Sequence, residues 1–127
     1  GYSQAEHLMV AAIARYHRRG LPKKRHESWQ LIVDRDQRRT VASMALLLRL
    51  AASLDRRPGS VIGSIKVVPL QQGSEKQAPS ELVISLDSLD PPSGDQPADL
   101  SLERWSLAAC RDGVLEACGL ALKVLEP

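Results

Sequence analysis

The 127-residue chain is 43% hydrophobic and 25% charged, contains no phenylalanine, and has only 3% aromatic residues. This composition is typical of a globular protein with an aliphatic core, and it disfavours functions that need several aromatic stacking platforms. No apolar run reaches the length of a membrane span and the start lacks a signal-peptide pattern, so the cytoplasm is the expected location and no membrane partner is expected.

The net charge of +2 conceals two regions of opposite charge. Residues 15–57 hold twelve lysines and arginines against four acidic residues, whereas residues 58–127 hold five against ten. Such a separation favours two modules. The two cysteines, Cys110 and Cys118, match neither a disulfide framework nor zinc-ligand spacing, so both are expected to be small apolar residues of one helix.

The first predicted element is a helix that begins at Ser3. Ser3 and Glu6 have the spacing of a capping box, in which each residue satisfies a backbone N–H group of the first turn. The residues behind them form one apolar stripe at helical spacing: Ala5, Leu8, Met9, Ala12, Ile13 and Tyr16. Glycine and proline at residues 20–22 end the helix.

A basic segment, residues 15–26, covers the end of this helix and the residues that follow it. It holds six lysines and arginines and two histidines. Two interpretations are open for such a run. It is either a solvated surface of the protein or a contact surface for a polyanion.

The most apolar stretch of the chain, residues 38–57, predicts a central helix. Apolar residues recur at helical spacing and leucines fill the remaining faces, so we expect this helix to be buried on nearly every side. Arg49 is placed among leucines and requires an anion there. Asp55 is expected to prolong the buried stripe into the last turn, where the helix dipole disfavours a carboxylate. Both residues are therefore candidates for a functional role.

A domain boundary is predicted at Pro58, because the residue before a proline is disfavoured in a helix and a glycine follows. The predicted domains are residues 1–58 and 59–127. Alternating apolar residues predict strands over 65–70, 82–86 and 120–126. A helix is expected between the last two strands.

Asp99 or Ser101 is expected to cap that helix, which runs to about Cys118 and ends at Gly119. Polar loops separate the first strand from the second and the second from the helix. The predicted fold class is α+β, with a helical half followed by a small β-β-α-β antiparallel sheet module.

Two motifs of the first half resemble those of one family. The segment IARYHRRGLPKKRH, followed by LLLRLAASLDRR, resembles the C-terminal region of the exopolyphosphatase and guanosine pentaphosphate phosphatase (Ppx/GppA) family. In that family a "RYHRKGxPK" helix exit precedes a "LLRLAxxLDR" helix. The second half is similar to the small end domain of the same proteins, including its "DLxLERW"-like helix. The resemblance implies that residues 1–58 are the C-terminal part of an HD-like helical domain.

The resemblance also implies what this sequence does not contain. Members of the family have two actin-like lobes, which carry the acidic catalytic residues and the phosphate-binding loops. The sequence contains neither lobe and no His-Asp pair. We therefore expect a C-terminal fragment of a longer enzyme, with no catalytic residue and no metal ligand of its own. Mg²⁺ is implied for the full-length enzyme and would be held by the lobes, which are expected partners together with a second copy of the chain.

The first functional hypothesis is a module that binds and guides the substrate of a phosphoanhydride hydrolase. The substrate is inorganic polyphosphate or guanosine pentaphosphate, and the sequence does not discriminate between them. A chain of phosphates requires a track of cations, because lysine and arginine bind phosphate oxygens. The candidate side chains are Arg15, Arg18, Arg19, Lys23, Lys24, Arg25, Arg49 and Arg56.

Two alternatives come from other classes of protein. In an HD-type metal phosphohydrolase, His17 and Asp55 match the later metal-ligand positions, but two ligands do not make a metal centre. The expectation for His17 is a hydrogen bond at the helix end, and for Asp55 a neighbouring arginine, histidine or backbone group. A nucleic-acid-binding module is supported by the basic segment but opposed by the scarcity of aromatic residues and the acidic second half, so nucleic acid is not the expected partner.

Overall fold

The computed structural model describes residues 1–19, 26–71 and 79–126, without the side chains of residues 19, 27 and 28. The elements are α1 (Gln4–Arg19), α2 (Glu27–Gln30), α3 (Arg35–Leu54), β1 (Ile62–Leu70), β2 (Glu81–Ser88), α4 (Ser101–Ala108), α5 (Arg111–Cys118) and β3 (Ala121–Val124). Helices precede a small sheet, which confirms the α+β class. The chain forms two compact units, residues 1–49 and 50–127. The division lies within α3, and the boundary predicted after residue 58 stays a prediction.

Helix α1 begins where its capping residues predict. The backbone N–H of Glu6 donates to Ser3 Oγ at 3.2 Å, which satisfies one of the free donors of the first turn. Along the predicted stripe Ala12 and Tyr16 are buried and the three residues Leu8, Met9 and Ile13 are partly buried against them. Ala5 is exposed, so the buried stripe begins one turn later than predicted.

Helix α3 begins at a cap that the sequence analysis missed. Asp34 Oδ1 accepts a hydrogen bond from the N–H of Gln37 at 3.0 Å, which fixes the first turn at Arg35. The helix ends at Leu54, before the residues that proline disfavours in a helix. It therefore covers residues 35–54 and not 38–57, and Asp55 follows its last turn.

The prediction that this helix is buried on nearly every side is wrong. Val41 and Ala45 are buried, but Leu47 exposes 65% of its surface and Met44 49%. Leu48, on the stripe that was expected to lead to Asp55, exposes 43%. Leucine is a strong helix former even when exposed, so a run of leucines predicts the helix without predicting which faces are covered.

The core of the first unit joins α1 and α3 with the connection between them. Its buried residues are Ala12, Tyr16, Ile32, Val41 and Ala45. The ring of Tyr16 stacks on His26 with centroids 5.6 Å apart, and its hydroxyl lies 3.1 Å from His26 Nδ1. These contacts anchor His26, which directly precedes α2, a short helix that the sequence did not predict.

Arg38 fixes the connection between α2 and α3. Its guanidinium donates to the carbonyl oxygens of Trp29 and Ile32, and its Cζ lies 5.5 Å from the centroid of the Trp29 ring. The carbonyl groups at the end of a helix lack partners within the helix, and a basic side chain satisfies them. Arg38 therefore has a structural role in the first unit.

The second unit contains a three-stranded sheet in the order β1-β2-β3. Strand β1 pairs antiparallel with β2, whereas β3 pairs parallel with β2. The prediction of an antiparallel sheet is therefore wrong for β3. The reason is the long connection through α4 and α5, because a helical crossover returns the chain to the same end of the sheet and permits parallel pairing.

One face of the sheet supplies the core of the second unit. Ile84 and Leu86 are buried and Leu82 is partly buried, which confirms the predicted alternation along β2. Leu107 of α4 and Val114 of α5 are almost completely buried, and both helices contact β3.

The helix predicted up to Gly119 is divided into α4 and α5 by a turn at residues 109–110. The backbone N–H of Cys110 donates to the carbonyl oxygen of Leu107 at 2.9 Å. This bond reaches back three residues, as in a 3₁₀ turn, whereas the regular α-helical bond reaches back four. Gly119 ends α5 in a left-handed conformation with φ of 70°, as predicted. Cys110 is buried, with its Sγ 3.6 Å from the carbonyl oxygen of Ser106, and Cys118 is exposed.

Candidate functional site

The candidate arginines that the structure describes lie on α1, near the C-terminal end of α3 and just beyond that end. Arg15 and Arg18 are exposed on α1, and Arg15 Cζ lies 5.5 Å from the centroid of the Tyr16 ring. Arg49 is half-buried on α3, and Arg56 is exposed beyond its end. The side chain of Arg19 and the whole of Lys23, Lys24 and Arg25 lie outside the described residues.

Several of these guanidinium groups have no acidic partner. The side chains of Arg18, Arg49 and Arg56 make neither a hydrogen bond nor an ion pair with any residue that the structure describes. Arg49 is therefore a half-buried cation without a counterion in the described part of the chain, a state that a bound anion would stabilise. Whether these arginines face one common groove stays a prediction.

His17 and Asp55 have ordinary structural surroundings. His17 Nδ1 lies 3.3 Å from the carbonyl oxygen of Ile13, one helical turn earlier. Asp55 is exposed, and its backbone N–H donates to Ala52 at 3.2 Å. Within residues 1–19, 26–71 and 79–126, no three His, Cys, Asp or Glu side chains are grouped to hold a metal ion. The described residues therefore do not fit a metal centre.

The best-defined polar contact of the second unit was not predicted. Glu103 on α4 exposes 0% of its side chain, and both of its oxygens accept hydrogen bonds from Arg57. Arg57 Nε donates to Oε1 at 2.6 Å and Nη2 donates to Oε2 at 2.7 Å, a bidentate arrangement. The hydrogen bonds from Arg57 hold the pKa of Glu103 below its ordinary value.

The same arginine also fixes the start of α4. Arg57 Nη2 donates to the carbonyl oxygen of Asp99 at 2.5 Å. Asp99 Oδ1 in turn accepts hydrogen bonds from the Ser101 hydroxyl and backbone N–H, which lower the pKa of Asp99. Arg57 is therefore neutralised within the second unit, unlike its neighbour Arg56.

A signal for this ion pair is present in the sequence of α4. Leu100, Glu103 and Leu107 follow each other at helical spacing, and all three are buried. A carboxylate between two leucines of a buried stripe predicts a nearby cation, because an ionised group is rarely buried without a partner. Which cation it is cannot be deduced from spacing alone.

None of the helices in the described part of the chain is long and apolar enough to span a membrane.

The chain matches a known family. A family model described as Ppx/GppA phosphatase, domain III, matches residues 1–125. Searches of curated proteins and of solved structures find no match. The matched residues include both motifs of the first half and nearly all of the second unit, which confirms the family that the sequence resembles.

Proposed function

The chain belongs to the Ppx/GppA phosphatase family, and from this membership as domain III we propose that it binds the polyanionic substrate of the full-length phosphatase and guides it toward the catalytic groups. The substrate class is a chain of phosphates joined by anhydride bonds, as in inorganic polyphosphate or guanosine pentaphosphate. Contacts to phosphate alone do not select between these two.

The observation that carries this proposal is the set of cations without acidic partners. Arg18 and Arg56 are exposed and Arg49 is half-buried, and none of them forms an ion pair with a described residue. Arginine presents a planar fork of donors that fits two phosphate oxygens at once. Together with Arg15, Arg19, Lys23, Lys24 and Arg25 of the basic segment, they are proposed to form the track for the phosphate chain.

Catalysis is proposed to lie outside this chain. In the family resemblance, the actin-like lobes carry the acidic catalytic groups, and Mg²⁺ bound there would neutralise charge on the reacting phosphate. The donor set described in this chain does not fit a metal ion, so no step is assigned to its residues. A cytoplasmic location and association with a second copy belong to the same proposal.

Titration with long-chain polyphosphate at two salt concentrations tests the proposal. Binding should weaken steeply with salt, with a slope of log K against log salt of roughly −0.7 for each phosphate contact, by analogy with single-stranded nucleic acids. Arg49→Met keeps the helix and removes the charge, and it should cost about 1.5–3 kcal/mol of binding free energy. Arg39→Met is the matched control, since Arg39 is an exposed arginine of the same helix outside the candidate set.

Competition with mixed-sequence RNA separates this function from nucleic-acid binding. At equal charge the chain should prefer polyphosphate, whereas an RNA-binding module should not. Equal affinities of wild type and Arg49→Met would make Arg49 structural. If affinity also survives neutralisation of Arg15, Arg18 and Arg19, the basic segment is a solvated surface and the proposal is wrong.

A further inference from the structure

Strand β3 is one of the two outer strands of the sheet, and β1 is the other. In the strand order β1-β2-β3 it is paired with β2 alone among the residues that the structure describes. An outer strand presents backbone N–H and C=O groups that can pair with another extended chain. Which residues present them follows from the pairing with β2.

The hydrogen bonds to β2 identify these residues. The backbone N–H of Ala121 donates to the carbonyl oxygen of Ser80 at 3.0 Å, and that of Leu125 donates to the carbonyl oxygen of Ile84 at 2.9 Å. In a parallel pair the backbone groups of alternate residues point toward the same neighbour. The odd-numbered residues of β3 therefore bond to β2, and the N–H and C=O groups of Leu122 and Val124 point to the outer edge.

A groove of about 400 Å³ runs between this edge and α4. Leu122, Lys123 and Val124 line it from the strand, and Trp105 and Ala108 line it from the helix. Trp105 exposes 69% of its surface, which is unusual for the largest apolar side chain. The groove thus combines strand groups that have no partner among the described residues with an aromatic side chain that has large apolar surface to bury.

The charge of the groove is positive. Arg104, Arg111 and Lys123 line it, against the single carboxylate of Glu126. Arg111 Nε donates to the carbonyl oxygen of Ala108 at 3.1 Å, and neither Arg111 nor Lys123 forms an ion pair with a described residue. An acidic occupant would complement this charge.

We propose that this groove binds an extended acidic peptide of a partner protein. The peptide adds a fourth strand beside β3, pairs with the backbone groups of Leu122 and Val124, and packs an apolar side chain on Trp105. Main-chain hydrogen bonds give such complexes their affinity, and the side-chain contacts give them specificity. The inference goes beyond the proposed function and uses no residue of the phosphate track, so each can fail without the other.

The first test uses a fluorescein-labelled peptide in which glutamate and aspartate alternate with valine, titrated against the full chain. Two isomers of this peptide carry N-methyl groups on alternate residues. In the first isomer the methyl groups lie along one edge of the extended peptide, and in the second they lie along the opposite edge. A methylated amide cannot donate, so the isomer with its methyl groups toward β3 should lose at least about tenfold in affinity. The other isomer should bind like the parent peptide.

The second test locates the peptide by amide hydrogen exchange. Saturation with the parent peptide should slow exchange at Leu122 and Val124 by about tenfold or more, since their amides become paired. Lys123 should be unchanged, because its N–H group already faces β2.

The third test concerns charge. Arg111→Gln combined with Lys123→Gln should weaken peptide binding by about tenfold. The matched control combines Arg39→Gln with Lys66→Gln, which likewise removes one exposed helix arginine and one exposed strand lysine. A peptide with lysine in place of its acidic residues should bind more weakly than the parent.

Several results would overturn the proposal. They are the absence of saturable binding, equal binding of both methylated isomers, unchanged exchange at Leu122 and Val124, and equal binding of the acidic and basic peptides. Sedimentation adds a further outcome. If the chain dimerises and these two amides are protected without peptide, a second copy occupies the edge and the acidic peptide does not.

Discussion

Glu103 is a buried carboxylate that a single arginine keeps ionised. The hydrogen bonds from Arg57 lower the pKa of Glu103, so the unfolded chain takes up a proton there at a higher pH than the native protein does. The ion pair therefore makes its full contribution to the free energy of unfolding at pH values above the pKa of a glutamate in the unfolded chain, about 4.3. This contribution is lost as the pH falls from that value to below the lower pKa that Glu103 has in the native protein.

This linkage predicts the behaviour of Glu103→Gln. The variant should be less stable than wild type at neutral pH, because Arg57 loses its charge-assisted partner. The difference should shrink as the pH is lowered from about 5 to 3, where wild type loses the same contribution. Urea unfolding at a series of pH values measures it. Glu116→Gln, at an exposed carboxylate on α5, is the control for the loss of one negative charge. Parallel curves for Glu103→Gln would contradict the linkage.

Arg56 and Arg57 show how far residue-level prediction reaches. Charge counting placed both in one basic region, yet Arg56 is exposed while Arg57 bonds to Glu103, 46 residues away in the chain. Exposure of Arg15 and Arg18 agrees with their positions in helical periodicity, whereas Arg56 lies beyond the last residue of α3. The partner of Arg57 is set by tertiary packing, which one sequence does not reveal.

At the scale of elements, local chemistry predicted the ends of several helices. The Ser3 cap of α1 and the left-handed Gly119 after α5 depend on a few adjacent residues, so the sequence contains the whole signal. The direction of β3 was mispredicted because an alternating pattern is the same for parallel and antiparallel neighbours. The burial of α3 was mispredicted because it depends on how many elements pack against that helix.

Gly63 is a position where β1 tolerates no side chain. The register of β1 with β2 shifts between Ile62 and Ser64, and a Cβ at Gly63 would lie 2.7 Å from the carbonyl oxygen of Ser88. That oxygen is backbone and cannot rotate away. Gly63→Ala should therefore lower the free energy of unfolding by about 1–3 kcal/mol, measured in urea.

Gly119 supplies the comparison for this prediction. A Cβ there would meet nothing within 4 Å, so only its positive φ opposes a side chain. Gly119→Ala should cost about 1–2 kcal/mol, and Gly119→Asn less, since asparagine tolerates this conformation. If Gly63→Ala were as stable as wild type, β1 and β2 would be able to move apart at this shift in register without a loss of folding free energy, and the prediction would be wrong.

For the whole molecule, the family match spans both compact units, whereas the phosphate track is proposed from residues 15–56. We expect the purified chain to release no phosphate from polyphosphate, because its described residues form no metal-binding group and the sequence has no glycine-rich phosphate loop. Phosphate release measured with and without Mg²⁺ checks this. Metal-dependent release that persists after removal of contaminating phosphatases would restore the HD-type enzyme hypothesis.

Parallel pairing of β2 with β3 also sets an order of events in folding. Strands β1 and β2 meet through the short connection at residues 71–80, but β3 reaches β2 only after α4 and α5 have bridged residues 89–120. Closing the longer connection costs more chain entropy, so the hairpin should form in the folding transition state and β3 should join late. Leu122→Ala should then speed unfolding and leave refolding nearly unchanged, whereas Val68→Ala, in the hairpin, should slow refolding. The edge of the sheet that β3 forms is thus expected to be the last part of the second unit to form and the first to open.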